Sequence, residues 1–197
     1  MGLRDILTGR HEVKGPAPDR LFAITTAYVT LESEHGIVPA GKAAIVFQAL
    51  ATSEFEATLK EMEEVVTATG GESGMTVTSE NDSYGYRWMV LHNPGGAPSV
   101  EDLAVGINAV SSSIETAGHG ERLLCAVFAF VGAQSERIYF IYNYKRGYWY
   151  PFVPAGSGSQ SQERDTEREL RIKAQIGDEL PIEPEIERWF PLWGIPI

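Results

Sequence analysis

One thiol, four imidazoles and two loop serines are the side chains here that could carry covalent or metal chemistry, and their spacing argues against it. Cys125 is the single cysteine and stands inside the apolar run Leu123–Val131. A nucleophilic thiolate needs exposure and an electropositive setting. A free cysteine within such a run reads instead as a core residue. A lone cysteine also excludes an internal disulfide framework. His11, His35, His92 and His119 are scattered, with no paired metal-ligand spacing, and read as loop histidines. Ser157 and Ser159 lie in a Gly-Ser loop with no following Gly-Lys-Ser/Thr, so the loop is a linker and not a phosphate cradle. No nucleophile–base pair emerges, and no catalytic, cofactor-binding or metal-binding residue is assigned.

The residues left for function are aromatic and cationic. Lys145, Arg146, Tyr148 and Trp149 place two adjacent cations among aromatics in a chain of net charge -11. Arg on an aromatic face makes a cation–π contact, and Tyr, Trp and Arg dominate protein interfaces. Trp189, Phe190 and Trp193 form a second cluster, and Tyr84 and Tyr86 flank the turn Asp82-Ser83-Tyr84-Gly85-Tyr86. Each has a plainer reading: core aromatics with solvated cations, a docked tail, and an Asx-type hairpin turn. A cleft lined by Tyr142, Tyr144, Tyr148 and Trp149 would suit a small molecule or peptide.

These side chains need a scaffold, and its centre is Leu123–Pro154. Leu123–Val131 and Ile138–Tyr144 are short and rich in β-branched and aromatic residues, which predicts a hairpin. The first is apolar at odd and even positions alike, so both its faces are covered and it is central in a sheet. Leu21–Leu31 alternates and predicts a strand near an edge, paired as a hairpin with Lys42–Leu50. Ser53-Glu54-Phe55-Glu56 predicts a capping box opening a helix with Phe55, Leu59, Met62 and Val66 on one stripe, stopped by Gly70-Gly71. Met75–Ser79 and Tyr84–His92 form another hairpin. After the break at Pro94–Pro98, Ser99 caps a helix whose stripe is Val100, Leu103, Ile107, Val110 and Ile114. Helix–strand–strand thus occurs twice, from Ser53 and from Ser99. Glu163–Ile176 predicts a charged surface helix with core positions Leu170, Ile172, Ala174 and Ile176. The two tryptophans and the phenylalanine near the end of the chain are expected to be buried as a cap on the sheet. The fold class is α+β: a mostly antiparallel sheet of about six strands in three hairpins, two or three amphipathic helices, and an aromatic C-terminal tail.

The 197 residues fit a single domain, divided as a short N-terminal helix and linker (1–20), core (21–154), and loop, helix and tail (155–197). The acidic balance argues against nucleic acid and against a broad grip on anionic lipid. No signal peptide is visible and no run approaches the ~18 apolar residues of a membrane span, so a soluble cytoplasmic protein is expected. Leu3, Ile6 and Leu7 could touch a membrane surface, but docking on the chain's own domain is the favoured reading. A homo-oligomer stays open.

Four stretches carry a family resemblance. They are Met1-Gly2-Leu3-Arg4-Asp5-Ile6-Leu7-Thr8-Gly9-Arg10; Asp82-Ser83-Tyr84-Gly85-Tyr86; Leu123-Leu124-Cys125 with Tyr142-Asn143-Tyr144-Lys145-Arg146-Gly147 and Tyr150-Pro151-Phe152; and Asp178-Glu179-Leu180-Pro181-Ile182-Glu183-Pro184 with Arg188-Trp189-Phe190-Pro191-Leu192-Trp193-Gly194. The last is the most specific. The chain resembles the PspA-associated protein family PspAB over nearly its whole length. The resemblance implies a non-enzymatic regulatory or adaptor role beside a phage-shock-protein-A type coiled-coil membrane-stress protein, and it brings no catalytic residue. The competing readings are a small-molecule or peptide binding domain and, behind it, an enzyme.

Overall fold

The structure is a computed structural model, described here for residues 18–69, 74–82, 84–92, 99–156 and 162–197. The expected N-terminal helix with Leu3, Ile6 and Leu7, most of the expected linker, His11, the expected Gly70-Gly71 stop and Pro94–Pro98 break, and the 157–161 loop serines lie outside those residues.

The chain runs α1 (Pro18–Leu21), α2 (Ile24–His35), β1 (Val38–Gln48), α3 (Ser53–Thr69), β2 (Thr76–Asn81), β3 (Tyr86–His92), α4 (Val100–Thr116), β4 (Leu123–Val131), β5 (Arg137–Asn143) and β6 (Tyr148–Phe152). Then come a two-residue ladder of β7 (Pro154–Ala155) with β8 (Glu163–Arg164), and α5 (Thr166–Ile176). β1 to β6 form one sheet in the order β2-β3-β1-β4-β5-β6, with every neighbouring pair antiparallel. The architecture is α+β, as expected, and β4 is an interior strand.

Residues paired across a ladder share a face, so the register assigns the two sides of the sheet. Met89, Ile45, Ala126 and Tyr142 lie on one side, with Phe47, Phe128 and Trp149. Helices cover it: Phe47 meets Phe55 of α3 edge-on at 6.0 Å, and Leu91 packs beneath Gly106 of α4. Trp88, Val46, Cys125 and Asn143 lie on the other side, with Tyr139, Tyr150 and Phe152. The C-terminal tail covers part of that side. Trp189 stacks on Tyr150 at 6.4 Å, Trp193 meets Phe152 edge-on at 5.2 Å, and the Tyr139 hydroxyl donates to the Ile197 carbonyl. The Cys125 strand thus has helices on one face, and on the other it lies beside the tail-covered strands β5 and β6.

Several local expectations need correction. Residues 21–31 are helical, not a strand. Leu21, Ile24, Ala27 and Leu31 are the buried positions, a spacing of three and four that puts them on one helix face. The β-branched Thr and Val residues that suggest a strand lie around that face. Gly36, in the left-handed region at φ 62°, donates its N–H to the Leu31 carbonyl and ends the helix. The first expected hairpin is therefore absent, and β1 lies inside the sheet between β3 and β4. The hairpins are β2–β3, β4–β5 and β5–β6. Thr52 caps α3 in place of Ser53, its hydroxyl accepting from the Phe55 N–H, while Glu56 pairs with Arg87 and not with the helix start. α5 begins at Thr166 behind the Asp165 cap. Its Leu170 and Ala174 face solvent, whereas Glu169 joins Ile172 and Ile176 inside. Ser99 does cap α4, accepting from the Asp102 N–H at 3.0 Å, and the whole α4 stripe is buried.

Candidate functional site: an aromatic groove over the sheet

The turn between β5 and β6 carries the cation–aromatic cluster, and the fold splits that cluster in two. The Asn143 side chain accepts from the Lys145 N–H, and Gly147, at φ 67°, donates back to the Asn143 carbonyl at 2.7 Å. The turn sends neighbouring side chains different ways. Arg146 forks onto Glu183, whose carboxylate is 2% exposed. Burial alone would raise the Glu183 pKa, but this guanidinium and the Glu185 N–H hold it below the ordinary carboxylate value. Tyr148 lies under the Arg20 guanidinium at 4.8 Å, and that guanidinium also donates to the Gly147 carbonyl. The ammonium of Lys145 has no ion pair or hydrogen bond among the described residues and lines the largest described groove.

Trp149 and Trp189 are internal, at 0% and 2% exposure. The Trp149 ring N–H donates to the Arg20 carbonyl, which ties α1 to the sheet, and that of Trp189 to the Glu183 carbonyl, which folds the tail on itself. Tyr142 and Tyr144 are core residues too, so the cleft expected from Tyr142, Tyr144, Tyr148 and Trp149 is filled. Residues 181–183 run beside β6: the Trp149 N–H donates to the Pro181 carbonyl, and the Glu183 N–H to the Trp149 carbonyl. Phe190 departs from expectation in the other direction, at 59% exposure.

The remaining candidates converge. Tyr84, Tyr86, Lys145 and Trp193 line one groove of about 480 Å³ with Phe190. Its floor is the tail-side face of the sheet, including Val46, Trp88 and Cys125. Leu124 joins the floor because β4 carries a register irregularity opposite Val46 and Phe47, which lets two successive residues face one partner strand. One wall is the β2–β3 turn. There Asp82 accepts from the N–H groups of Tyr84 and Tyr86 at 2.8 and 2.9 Å and from the Trp88 ring N–H at 3.0 Å. This Asx-type turn, helped by Gly85 at φ 84°, holds Tyr84 out at 65% exposure. The other wall is Phe190 to Trp193, anchored where the Tyr150 hydroxyl donates to the Phe190 carbonyl.

Among the described residues lining the groove, the only thiol is Cys125 and the only carboxylate Asp82. Burial pushes the Cys125 thiol up to about 12, so it is protonated at neutral pH. His35, His92 and His119 are elsewhere: His119 packs against Phe55 and His92 faces Thr76. Among the described residues no three His, Cys, Asp or Glu side chains group as a metal site. The Asp82 carboxylate is occupied by its three donors. Sequence reasoning missed Leu124 and Val46, and it named Phe190 only as one of a cluster with Trp189 and Trp193 that would also bury as a cap.

A family model described as PspAB, PspA associated protein B, matches residues 1–197. Neither a characterised protein sequence nor a solved structure matches the chain.

Proposed function

The chain belongs to the PspA associated protein B family, and from that premise we propose that it is a non-enzymatic regulatory partner of a PspA-type coiled-coil stress protein, acting in the cytoplasm as one domain. The observation that carries this reading is the groove whose rim exposes Tyr84 and Phe190 beside Lys145, which has no ion pair among the described residues. Exposed aromatic rings next to a cation are the composition of protein-binding hot spots. The buried, protonated thiol and the occupied Asp82 carboxylate leave the groove suited to binding. No helix among the described residues is long and apolar enough to cross a membrane.

Native mass spectrometry and pull-down with the PspA-type protein of the same organism test the reading. A complex at low micromolar concentration is the expected result, and its absence at tens of micromolar overturns it. A second reading, a small-ligand domain, is favoured by the groove's volume, which falls in the ~300–1,000 Å³ range of ligand pockets. A small molecule retained through purification and seen in the same spectra would support it.

A further inference from the structure

We propose that the groove receives an amphipathic α-helix, with aliphatic side chains on its floor and a carboxylate against Lys145; this rests on the reading of the groove as the docking face. The backbone argument comes first. The floor residues come from β1, β3, β4, β5 and β6. The first four have a strand on either side, and β6 lies between β5 and residues 181–183. Their main-chain donors and acceptors are spent on the sheet, so the floor has none to share. An extended peptide laid there would bury its own amides without partners, which is costly. A helix arrives with its backbone already paired and needs only side-chain contact.

The charge argument follows from which ions are already engaged. Arg146 is held by Glu183, and Arg20 by Tyr148 and Gly147. Asp82 is satisfied by three N–H donors. Among the described residues, Lys145 is the one cation lining the groove, in a chain of net charge -11. Asp82 keeps its charge but directs it at those three donors, so an acidic partner is repelled by most of this molecule and attracted where its carboxylate meets Lys145. The fitting occupant is a helix with aliphatic residues at i, i+3, i+4 and i+7 and a Glu or Asp flanking the stripe.

The test uses three labelled peptides of about 20 residues, long enough for several helical turns, in fluorescence anisotropy with the full chain. The first carries the leucine stripe with a flanking Glu, the second has Lys in place of that Glu, and the third has a central Pro. The Glu peptide is expected to bind and to weaken about fivefold with Lys145→Glu, while the Lys peptide gains by a similar factor. Tyr84→Ala with Phe190→Ala is expected to weaken the Glu peptide about thirtyfold. Both positions are exposed, so an unchanged melting temperature confirms that the fold is kept. Equal binding by the Pro peptide, no charge reversal at Lys145, or a retained small molecule that no peptide displaces each overturns the proposal. A parallel titration with the PspA-type protein separates the two readings. If it binds wild type and all variants alike, the groove is not the docking face although the association stands. If the Glu peptide binds and that protein does not, the helix groove stands and the association falls.

Discussion

At the scale of single residues, the ionisable groups divide into fasteners and bystanders. Arg164 and Glu169 are the tightest fastener. The carboxylate is fully buried, takes a forked pair from Arg164 and accepts the Val153 N–H at 2.9 Å, while Arg164 also donates to the Trp189 carbonyl. Arg164→Met leaves a buried charge alone and is expected to cost about 3 kcal/mol. That is roughly 6–12 °C of melting temperature in a chain this long. Arg164→Met with Glu169→Leu should recover most of the loss in a thermal melt, because a packed apolar pair replaces the ions. Glu183 and Glu169 also set opposite pH trends. Glu183 is held below its ordinary 4.5, so its contribution is full above that value and is lost as pH falls. Burial raises Glu169 despite Arg164, so its contribution is present below 4.5 and is lost as pH rises through the raised value. Urea midpoints between pH 3 and 7 should show a shallower acid limb for Glu183→Gln and a steeper one for Glu169→Gln. Cys125 is the bystander. With the thiol raised from 9.0 to about 12, its thiolate fraction falls about a thousandfold. Iodoacetamide at pH 8 should modify the folded protein at least about a hundredfold more slowly than the urea-unfolded one, and fast labelling of the folded state would refute its burial.

At the scale of elements, α4 is seated by a missing side chain. A Cβ on Gly106 would lie 2.5 Å from Leu91 Cδ2 and 3.1 Å from Met75 Cε, so a side chain there makes the ends of Leu91 and Met75 shift in the core. Gly106→Ala gains about 1 kcal/mol of helix propensity but overpacks the contact by about 1–3 kcal/mol. Chemical denaturation should show net destabilisation, and a gain in stability would mean that the helix can slide. The amphipathic stripe and Ser99 cap of this helix are readable in the chain because period and capping are local properties. The same was true of the β4–β5 hairpin. It was not true of residues 21–35, where Thr25, Thr26, Val29 and Thr30 favour a strand by propensity. Burial of Leu21, Ile24, Ala27 and Leu31 against the sheet overrides them. The only local hint was Gly36, a helix stop, which reads equally as a turn.

For the whole molecule, the tail is structural in one part and presented in another. Trp189 caps Tyr150 and is pinned through Glu183 and Arg164, so Trp189→Ala is expected to cost about 3–5 kcal/mol. Phe190→Ala, one residue on and exposed, should change melting by no more than a degree or two while weakening partner binding. Calorimetry on the two variants separates these roles, and equal losses would mean that the groove wall is part of the core. The two halves of the site lie about a hundred residues apart in the chain and meet only because β3, β1, β4 and β5 bring the β2–β3 turn and the tail to one face. The sequence by itself determined the α+β class, the interior position of the Cys125 strand and the family. Those follow from composition, local period and motif, which need no knowledge of what lies across the sheet. Only the tertiary structure decided that Trp149 turns inward and Phe190 outward, that Arg146 is spent on Glu183, and that Lys145, Tyr84 and Phe190 are presented together. The side on which a residue emerges depends on strand register and on partners far along the chain, and neighbours in sequence carry no record of either.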